Sequence, residues 1–328
     1  MLKVGLIGCG FMGTMHANCY KNIPGVELTA VADVRPKKAA GIAAGTSAAI
    51  YGDGKDLIAR AQVDIIDICL PTYLHAEYAL LAMDKVKYLF VEKPVTLTVA
   101  ESEALLEKSA RTGCNVQVGQ VIRFWDEYVA LRQMIQDKRY GKVVNANFRR
   151  ISQSPDWGWN NWLHDVSLSG GAAQDLHIHD IDYVLSVFGK PNSLSSIRNK
   201  IGEANSYINT VLDFDDFVVG VEGTWALPAA HPFQASFRVV FEDAVVENDG
   251  GQFMLYTADG AQPIQIPKKE MVAQGGTQGN ISDLGGYYNE LVYFTQQAQA
   301  GAPITQASLQ DAADSLEFLL QKELCANA

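Results

Sequence analysis

Short apolar runs alternate with segments of helical apolar spacing between residues 4 and 119 of the chain. Such runs are typical of buried strands, and apolar residues at intervals of three or four are typical of helices. The predicted strands are VGLIG (4–8), LTAVAD (28–33), DIIDICL (64–70), YLFVEK (88–93) and NVQVG (115–119). Because strands and helices alternate, the pattern predicts a parallel sheet with helices on both faces.

A glycine-rich turn joins the first predicted strand to the first predicted helix. Gly8, Gly10 and Gly13 form a GxGxxG pattern in GLIGCGFMGTMH. The first glycine permits a tight turn, the second lets the backbone approach a pyrophosphate, and the third allows close packing of helix on strand. Asp33 ends the next strand, where an acidic residue binds the adenosine ribose. The spacing predicts a dinucleotide site, and a glycine-rich turn without a ligand is the alternative.

The residues around Asp33 bear on the choice of cofactor. A carboxylate suits the free 2′-hydroxyl of NAD and would repel the 2′-phosphate of NADP. Arg35, Lys37 and Lys38 follow closely and could accommodate that phosphate, although a solvated helix start would also explain them. The sequence therefore predicts NAD, with NADP as a possible second cofactor.

Two later junctions also lie at the carboxyl ends of predicted strands, where open α/β sheets bind their ligands. One is PTYLHAEY after the third strand, and the other is EKPVTLT after the fourth. The residues predicted to bind the dinucleotide are Gly8, Gly10, Phe11, Met12, Gly13, Asp33, Arg35, Leu70, Pro71, Thr72, His75, Glu92 and Lys93.

The second half of the chain has a different pattern, with several strands of period-two character. These are KVVNANFRRIS, SYINTVLDF, FVVGVEGTWAL and ASFRVVFED. A chain of 328 residues exceeds what one core usually supports. The predicted division is a dinucleotide-binding domain over 1–122 and a second domain over 123–328, and the family resemblance described below implies that the second is a substrate-binding and oligomerisation domain. Two amphipathic helices in the tail are expected to pack on the second domain.

A helix is predicted over residues 174–188, QDLHIHDIDYVLSVF, ending before Gly189. Asp175, His179 and Asp182 would form a polar stripe beside its apolar arc, and His177 would fall on that arc. The two histidines therefore cannot chelate one ion on this helix. No HExxH motif or Cys/His cluster supplies other ligands, so no metal site is predicted.

Composition narrows the classes of partner and compartment. The formal net charge of −11 disfavours nucleic acid, because an acidic surface repels phosphates. The five cysteines include no CxxC pair, which indicates a reducing compartment. No apolar run is long enough to span a bilayer, and the chain opens on a strand-like run rather than a signal peptide. A cytoplasmic protein is expected.

The ordered set of GCGFMG, PTYLH, EKP and GG…D…HD resembles the Gfo/Idh/MocA family of NAD(P)-dependent oxidoreductases. The resemblance covers residues 5–180. It implies an α/β protein with an N-terminal doubly wound Rossmann sheet and a C-terminal α+β domain carrying a large, mostly antiparallel sheet. One face of that sheet would meet the dinucleotide site, and the other would pair subunits in a homodimer or homotetramer.

The resemblance implies three catalytic residues. Lys93 would stabilise developing alkoxide charge, His179 would take the hydroxyl proton, and Asp175 would bind the hydroxyl or support the imidazolium. The residues predicted to bind substrate are Lys93, Arg123, Trp162, Asp175 and His179, with Tyr128 near them. Trp162 lies in an aromatic segment that suits stacking on a sugar ring, and a subunit interface or a buried edge would suit it equally well.

The predicted function is NAD(P)-dependent oxidation of a secondary hydroxyl of a sugar, cyclitol or related polyol. One alternative is a glycosidase or epimerase-like enzyme that oxidises transiently and restores NAD. The other alternative is a dinucleotide-binding sensor without turnover.

Overall fold

The computed structural model describes residues 1–202, 204–266 and 284–323. The described chain forms two compact units. The first contains residues 1–121 and 284–313, and the second contains residues 122–266 and 314–323. No helix in these ranges has the length and apolar character needed to cross a bilayer.

A six-stranded parallel sheet forms the core of the first unit. Its strands, in chain order, are β1 (Leu2–Ile7), β2 (Val26–Ala32), β3 (Ala49–Tyr51), β4 (Ile65–Ile68), β5 (Tyr88–Val91) and β6 (Asn115–Val118). Their order in the sheet is β3-β2-β1-β4-β5-β6, which is the doubly wound order of a Rossmann fold. The predicted sheet is confirmed, but β3 was not predicted, because it is short and partly exposed.

Five helices connect these strands, and local sequence sets their ends. They are α1 (Phe11–Tyr20), α2 (Pro36–Ala43), α3 (Gly54–Arg60), α4 (His75–Ala82) and α5 (Val99–Thr112). Thr98 and Glu101 form a capping box at the start of α5. Gly113 ends that helix in the left-handed conformation.

An eight-stranded sheet forms the core of the second unit. Its strands are β7 (Val143–Gln153), β8 (Ser193–Ile201), β9 (Asn205–Phe214), β10 (Phe217–Leu227), β11 (Gln234–Phe241), β12 (Ala244–Asn248), β13 (Phe253–Thr257) and β14 (Gly260–Pro263). The order is β14-β13-β12-β11-β7-β10-β9-β8, and only the β7–β10 pair is parallel. The large, mostly antiparallel sheet that the resemblance implied is confirmed.

Helices cover one face of this sheet. They are α6 (Asp126–Gln136) and α8 (Ile178–Phe188), and the short α7 (Val166–Ser169) lies between them in the chain. The ring of Tyr183 on α8 packs edge-on against that of Tyr128 on α6, with centroids 4.8 Å apart. It also contacts Phe148 on β7, whose ring lies next to Phe237 on β11. This aromatic core holds α8 firmly on the sheet.

The segment before α8 differs from the continuous helix that the sequence predicted. Residues Ala173–His177 form a π-helical turn, and the α-helix begins at Ile178. Gly170 and Gly171 precede the turn with φ of 73° and 66°. A Cβ on Gly171 would lie 2.7 Å from the carbonyl oxygen of Ala204, so only glycine fits this entry.

The tail continues as α9 (Gly285–Ala300), α10 (Leu309–Glu317) and a π-helical turn at Phe318–Glu323. Helix α9 packs against α1 of the first unit. Its Phe294 contacts the rings of Tyr88 and Phe90 on β5. This differs from the predicted division, which placed the whole tail with the second domain, because the apolar spacing of α9 does not say which core it covers.

Candidate active site

The ligand-binding edge of the first unit brings together the ends of four parallel strands. The GxGxxG turn follows β1, Asp33 follows β2, the Leu70–Thr72 segment follows β4, and Glu92 and Lys93 follow β5. Carboxyl ends of parallel strands share one edge of the sheet, so the predicted dinucleotide-binding segments lie along it.

The three glycines of the turn differ in how closely other atoms surround the position of a Cβ. Gly8 has φ of 95°, and a Cβ there would lie 2.4 Å from the carbonyl oxygen of Cys69. A Cβ on Gly13 would lie 1.8 Å from the carbonyl oxygen of Gly8. A Cβ on Gly10 would meet nothing closer than Arg35 Nη2 at 3.7 Å. Gly10 also begins α1 without a side-chain cap, so its neighbourhood fits an anionic group such as a pyrophosphate.

This contrast separates a folding glycine from a binding glycine. We expect Gly10→Ala to leave the unfolding midpoint unchanged and to weaken NADH binding by about tenfold, which corresponds to about 1.4 kcal/mol. Gly13→Ala is expected to lower the free energy of unfolding by about 1–3 kcal/mol, because the close contact forces a backbone shift. NADH fluorescence titration and urea unfolding measure the two effects. Equal stability losses in both variants would contradict the binding role of Gly10.

Asp33 is already fully engaged by hydrogen-bond donors. Its Oδ2 accepts from the Cys9 backbone N–H at 2.8 Å and from Arg35 Nη2 at 2.8 Å. Its Oδ1 accepts from the Arg35 backbone N–H and from Arg35 Nε, both at 2.8 Å. Burial opposes ionisation, but the bonds from Arg35 and Cys9 lower the pKa of Asp33. A ribose that binds Asp33 must therefore displace part of the Arg35 guanidinium.

His75 connects two of the strand ends and does not present a free ring to a ligand. Its Nδ1 lies 2.8 Å from the carbonyl oxygen of Pro94, and its Nε2 lies 2.8 Å from that of Leu70. Burial lowers the pKa of His75, although two carbonyl contacts favour the protonated ring. We consider burial decisive, so the neutral ring donates to one carbonyl at a time. His75 thus links the loops that follow β4 and β5, and its contact with the dinucleotide stays a prediction.

A buried polar cluster behind this edge was not predicted. His16 of α1 is fully buried, and its Nδ1 lies 2.8 Å from Asp67 Oδ2. Tyr20 donates to the same oxygen at 2.9 Å, and Cys69 Sγ lies 3.3 Å from His16 Nδ1. An acidic residue inside the apolar run DIIDICL was the available signal, since buried carboxylates need partners.

His16, Asp67 and Cys69 are also of the types that bind metal ions. Their candidate ligand atoms lie within 4.8 Å of one another. Hydrogen bonds already join these atoms, and the pKa of the Cys69 thiol is raised well above its usual value by burial and by Asp67. We therefore interpret the group as a hydrogen-bonded network.

The predicted catalytic residues are divided between the two units. Lys93 follows β5 of the first unit and is half-buried. Asp175 lies in the π-helical turn of the second unit, and His179 lies in the first turn of α8. Both of these side chains are half-buried, whereas Leu176, His177 and Ile178 between them are buried. The pattern agrees with a polar side of this helix that carries Asp175 and His179.

Asp182 does not continue that polar stripe. It is fully buried, and its carboxylate accepts from Arg123 Nε at 2.6 Å and Nη2 at 2.7 Å. Ser315 donates to it at 2.9 Å. The expectation of a stripe through Asp182 is therefore wrong, because a buried arginine turns that side of α8 inward. Arg123, predicted to bind substrate, has these two guanidinium nitrogens engaged inside the unit.

A second buried ion pair fixes the same helix. Arg150 Nε on β7 donates to Asp180 Oδ2 at 2.9 Å, so Asp180 is a buried structural residue. Tyr128 is buried, and its hydroxyl accepts from Arg150. Tyr128 therefore lies in the core and not at an open substrate site. Trp162 is half-buried against Leu163, Leu176 and neighbouring apolar residues, so its substrate contact stays a prediction.

His177 has a tertiary partner that the sequence did not indicate. Its Nε2 lies 2.6 Å from Oε1 of Glu323, in the π-helical turn of the tail. Thr210 on β9 donates to the same carboxylate oxygen. His177 is thus a buried structural residue, and it ties the chain after α10 to the turn that carries Asp175.

Comparisons with known proteins cover both units. Residues 2–120 match the family described as "Oxidoreductase family, NAD-binding Rossmann fold". Residues 128–247 match the family described as "GFO/IDH/MocA C-terminal domain". The two matches follow the order of the two units along the chain.

Individual relatives agree with these matches. A 4-carboxy-2-hydroxymuconate-6-semialdehyde dehydrogenase of Sphingobium sp. is 36% identical over 264 residues, which are 67% of this chain and 82% of the relative. An inositol 2-dehydrogenase of Rhizobium meliloti is 31% identical over 218 residues, which are 63% of this chain and 62% of the relative. A levoglucosan dehydrogenase solved with NADH and levoglucosan aligns with a TM-score of 0.85 and 20% identity, over 99% of this chain and 96% of that one. At that identity, the last similarity shows the fold.

Proposed function

Since the chain belongs to the GFO/IDH/MocA family of NAD-binding oxidoreductases, we propose that it oxidises a secondary hydroxyl of a sugar, cyclitol or related polyol with NAD. The observation that carries the proposal is the strand-end edge of the first unit. There, an open Gly10 at an uncapped helix start, Asp33 and the Glu92–Lys93 segment follow neighbouring parallel strands. Such an edge binds a dinucleotide and can place a lysine at the reacting group.

The relatives support the class of substrate. Curated proteins similar to this chain include inositol 2-dehydrogenases and a scyllo-inositol 2-dehydrogenase (NAD(+)) of Bacillus subtilis, which is 29% identical over 247 residues. A semialdehyde dehydrogenase is also among them, so the relatives do not share one substrate. We therefore propose a polyol-type alcohol as the substrate, and the substrate panel described below identifies which one.

In the proposed reaction, the side chains divide the work of removing a proton and a hydride from one CH–OH group. NAD, when bound, supplies the hydride acceptor. The Lys93 ammonium donates a hydrogen bond to the substrate oxygen and stabilises its developing negative charge. His179 takes the hydroxyl proton, which suits an imidazole because its usual pKa lies near neutrality. Asp175 orients the hydroxyl or supports the imidazolium.

The Asp33 carboxylate favours NAD as the cofactor, and the Arg35 guanidinium also allows NADP to bind. The Asp33 carboxylate suits a free 2′-hydroxyl. Arg35 must be partly displaced from Asp33 when a ribose binds, and its displaced guanidinium could then meet a 2′-phosphate. We propose NAD as the preferred cofactor and NADP as a weaker alternative.

A substrate panel with two cofactors tests the proposal. Inositols, aldoses, anhydrosugars and acyclic polyols are incubated with NAD or NADP, and absorbance is followed at 340 nm. We expect net NADH formation with at least one polyol, and a lower kcat/KM with NADP. Bound NAD that turns a substrate over without net NADH would indicate the recycling enzyme. NADH binding without any turnover would indicate the sensor.

We propose that the protein forms a homodimer or homotetramer in the cytoplasm. The face of the large sheet opposite α8 exposes Ile197, Ile201, Val211 and Val218 among polar residues. Apolar side chains on an open sheet face are typical of subunit interfaces. Light scattering coupled to gel filtration would contradict this proposal if it gave the mass of a single chain.

A further inference from the structure

The buried cluster behind the strand-end edge contains a histidine between two carboxylates. His16 Nδ1 lies 2.8 Å from Asp67 Oδ2, and Nε2 lies 3.1 Å from Glu92 Oε1. The His16 side chain is fully buried, and that of Glu92 is 7% exposed. These two atoms do not form a hydrogen bond, so the contact between His16 and Glu92 is an ion pair.

The charge on His16 follows from these neighbours. Burial opposes protonation, but Cys69 and Asp67 raise the pKa of His16 well above the usual range of imidazole. A neutral ring would leave the buried carboxylates of Asp67 and Glu92 without this cation, and an unpaired buried charge costs more than a paired one. Glu290 of α9 is also fully buried near this cluster, and burial and Glu92 raise its pKa well above that of an ordinary carboxyl. His16 is thus the cation of an otherwise acidic group.

Glu92 connects this cation to Lys93. Its Oε2 accepts the Lys93 backbone N–H at 3.1 Å. A Cβ on Gly119 would lie 3.0 Å from the Glu92 carboxyl group, so the backbone just after β6 also confines that carboxylate. The Glu92 carboxylate is therefore held by His16 and by the backbone at Gly119. It in turn accepts a hydrogen bond from the backbone N–H of Lys93.

We infer that His16 is a positioning residue that fixes Glu92 and, through it, the orientation of Lys93. This inference rests on the role proposed for Lys93. Helix α1 starts at the GxGxxG turn and carries His16 in its second turn, so one rigid element serves both the dinucleotide and the lysine. Catalytic groups need such support, because a small displacement of a reacting group costs much of the rate.

Two substitutions at His16 separate its two contacts. Asparagine places its amide nitrogen near the Nδ1 position and keeps the bond to Asp67, but it has no atom near Glu92. Glutamine reaches the Nε2 position and replaces the ion pair with a neutral hydrogen-bond donor for Glu92. We expect H16N to lower kcat by about 10- to 100-fold, the range seen when a reacting group is misplaced. The loss of kcat in H16Q should be clearly smaller, because its side chain still contacts Glu92.

Tyr20→Phe is the matched control within the same cluster. It removes the hydrogen bond to Asp67 and does not touch Glu92. We expect this variant to lose stability without losing kcat. Glu92→Gln is a second route if H16N does not fold, and the double variant H16N/E92Q should fall no further than H16N alone, because both act on one contact.

A readout without substrate tests the structural half of the inference. The exchange rate of the peptide spanning residues 88–98 reports how well the Lys93 amide hydrogen is protected. That amide donates a hydrogen bond to the Glu92 side chain. We expect faster exchange in H16N than in H16Q or Y20F. The inference is wrong if the exchange rate and kcat of H16N, H16Q and Y20F change only in proportion to the loss of global stability in each variant. Failure of the wild type to oxidise any polyol would overturn the proposed function, while the exchange comparison would still decide whether His16 orients this backbone.

Discussion

Replacing Lys93 by methionine is expected to lower kcat by about 10²- to 10³-fold, the usual effect of removing one donor that stabilises transition-state charge. Methionine keeps the length and most of the volume of the side chain but has no ammonium. The substrate oxygen would then develop negative charge without a cation beside it. The unfolding midpoint should stay near that of the wild type, because the half-buried Lys93 side chain is not part of the apolar core.

Lys87→Met is the matched control, since Lys87 precedes β5 at its opposite end and is exposed. Its kcat and KM should be unchanged. A K93M variant with normal kcat and a raised KM would mean that Lys93 only binds the substrate. If K93M and H179Q both left turnover unchanged on an identified substrate, the assignment of the catalytic residues would be wrong.

Replacing Arg123 by methionine is expected to lower the free energy of unfolding by about 3–5 kcal/mol, the usual cost of removing one member of a buried ion pair. Arg123 and Asp182 have side chains that are 7% and 0% exposed. Without the guanidinium, the Asp182 carboxylate keeps only the hydroxyl of Ser315 among the partners described above. Urea unfolding measures the loss.

Arg149→Met provides the control in the same unit. Arg149 pairs with Glu222 at 2.6 Å, but its side chain is 48% exposed. An exposed pair contributes about 0–1 kcal/mol, so this variant should unfold near the wild-type midpoint. If R123M were as stable as R149M and raised the KM for substrate, Arg123 would bind substrate as the sequence suggested.

The first unit could be predicted because its signals are local. Buried parallel strands are continuous apolar runs, and the GxGxxG turn carries its own steric reasons at Gly8 and Gly13. The exception is β3, where three residues at the sheet edge give too short a pattern. The wrong expectation for Asp182 has a different cause. Helical periodicity placed it beside Asp175, but its partner Arg123 lies 59 residues away in the chain.

The parts that sequence did not reveal depend on tertiary choices. The parallel pairing of β7 with β10, within an otherwise antiparallel sheet, leaves no mark on the alternation of either strand. The π-helical turn at Ala173–His177 shifts the backbone hydrogen bonds by one residue relative to an α-helix. The residue types in this segment give no sign of that shift. Nothing in the sequence around Glu323 distinguishes it from an exposed residue of the tail. The structure shows that it is buried against His177.

The placement of α9 in the first unit matters for how the protein is made. The last strand of the parallel sheet, β6, ends at Val118, but α9 begins only at Gly285. At about 5–20 residues per second on the ribosome, the interval lasts roughly 10–30 s. During that time, the surface formed by α1, Tyr88 and Phe90 is uncovered and open to chaperones. For the same reason, a minimal dinucleotide-binding fragment must carry α9 as well as residues 1–121, for example through circular permutation.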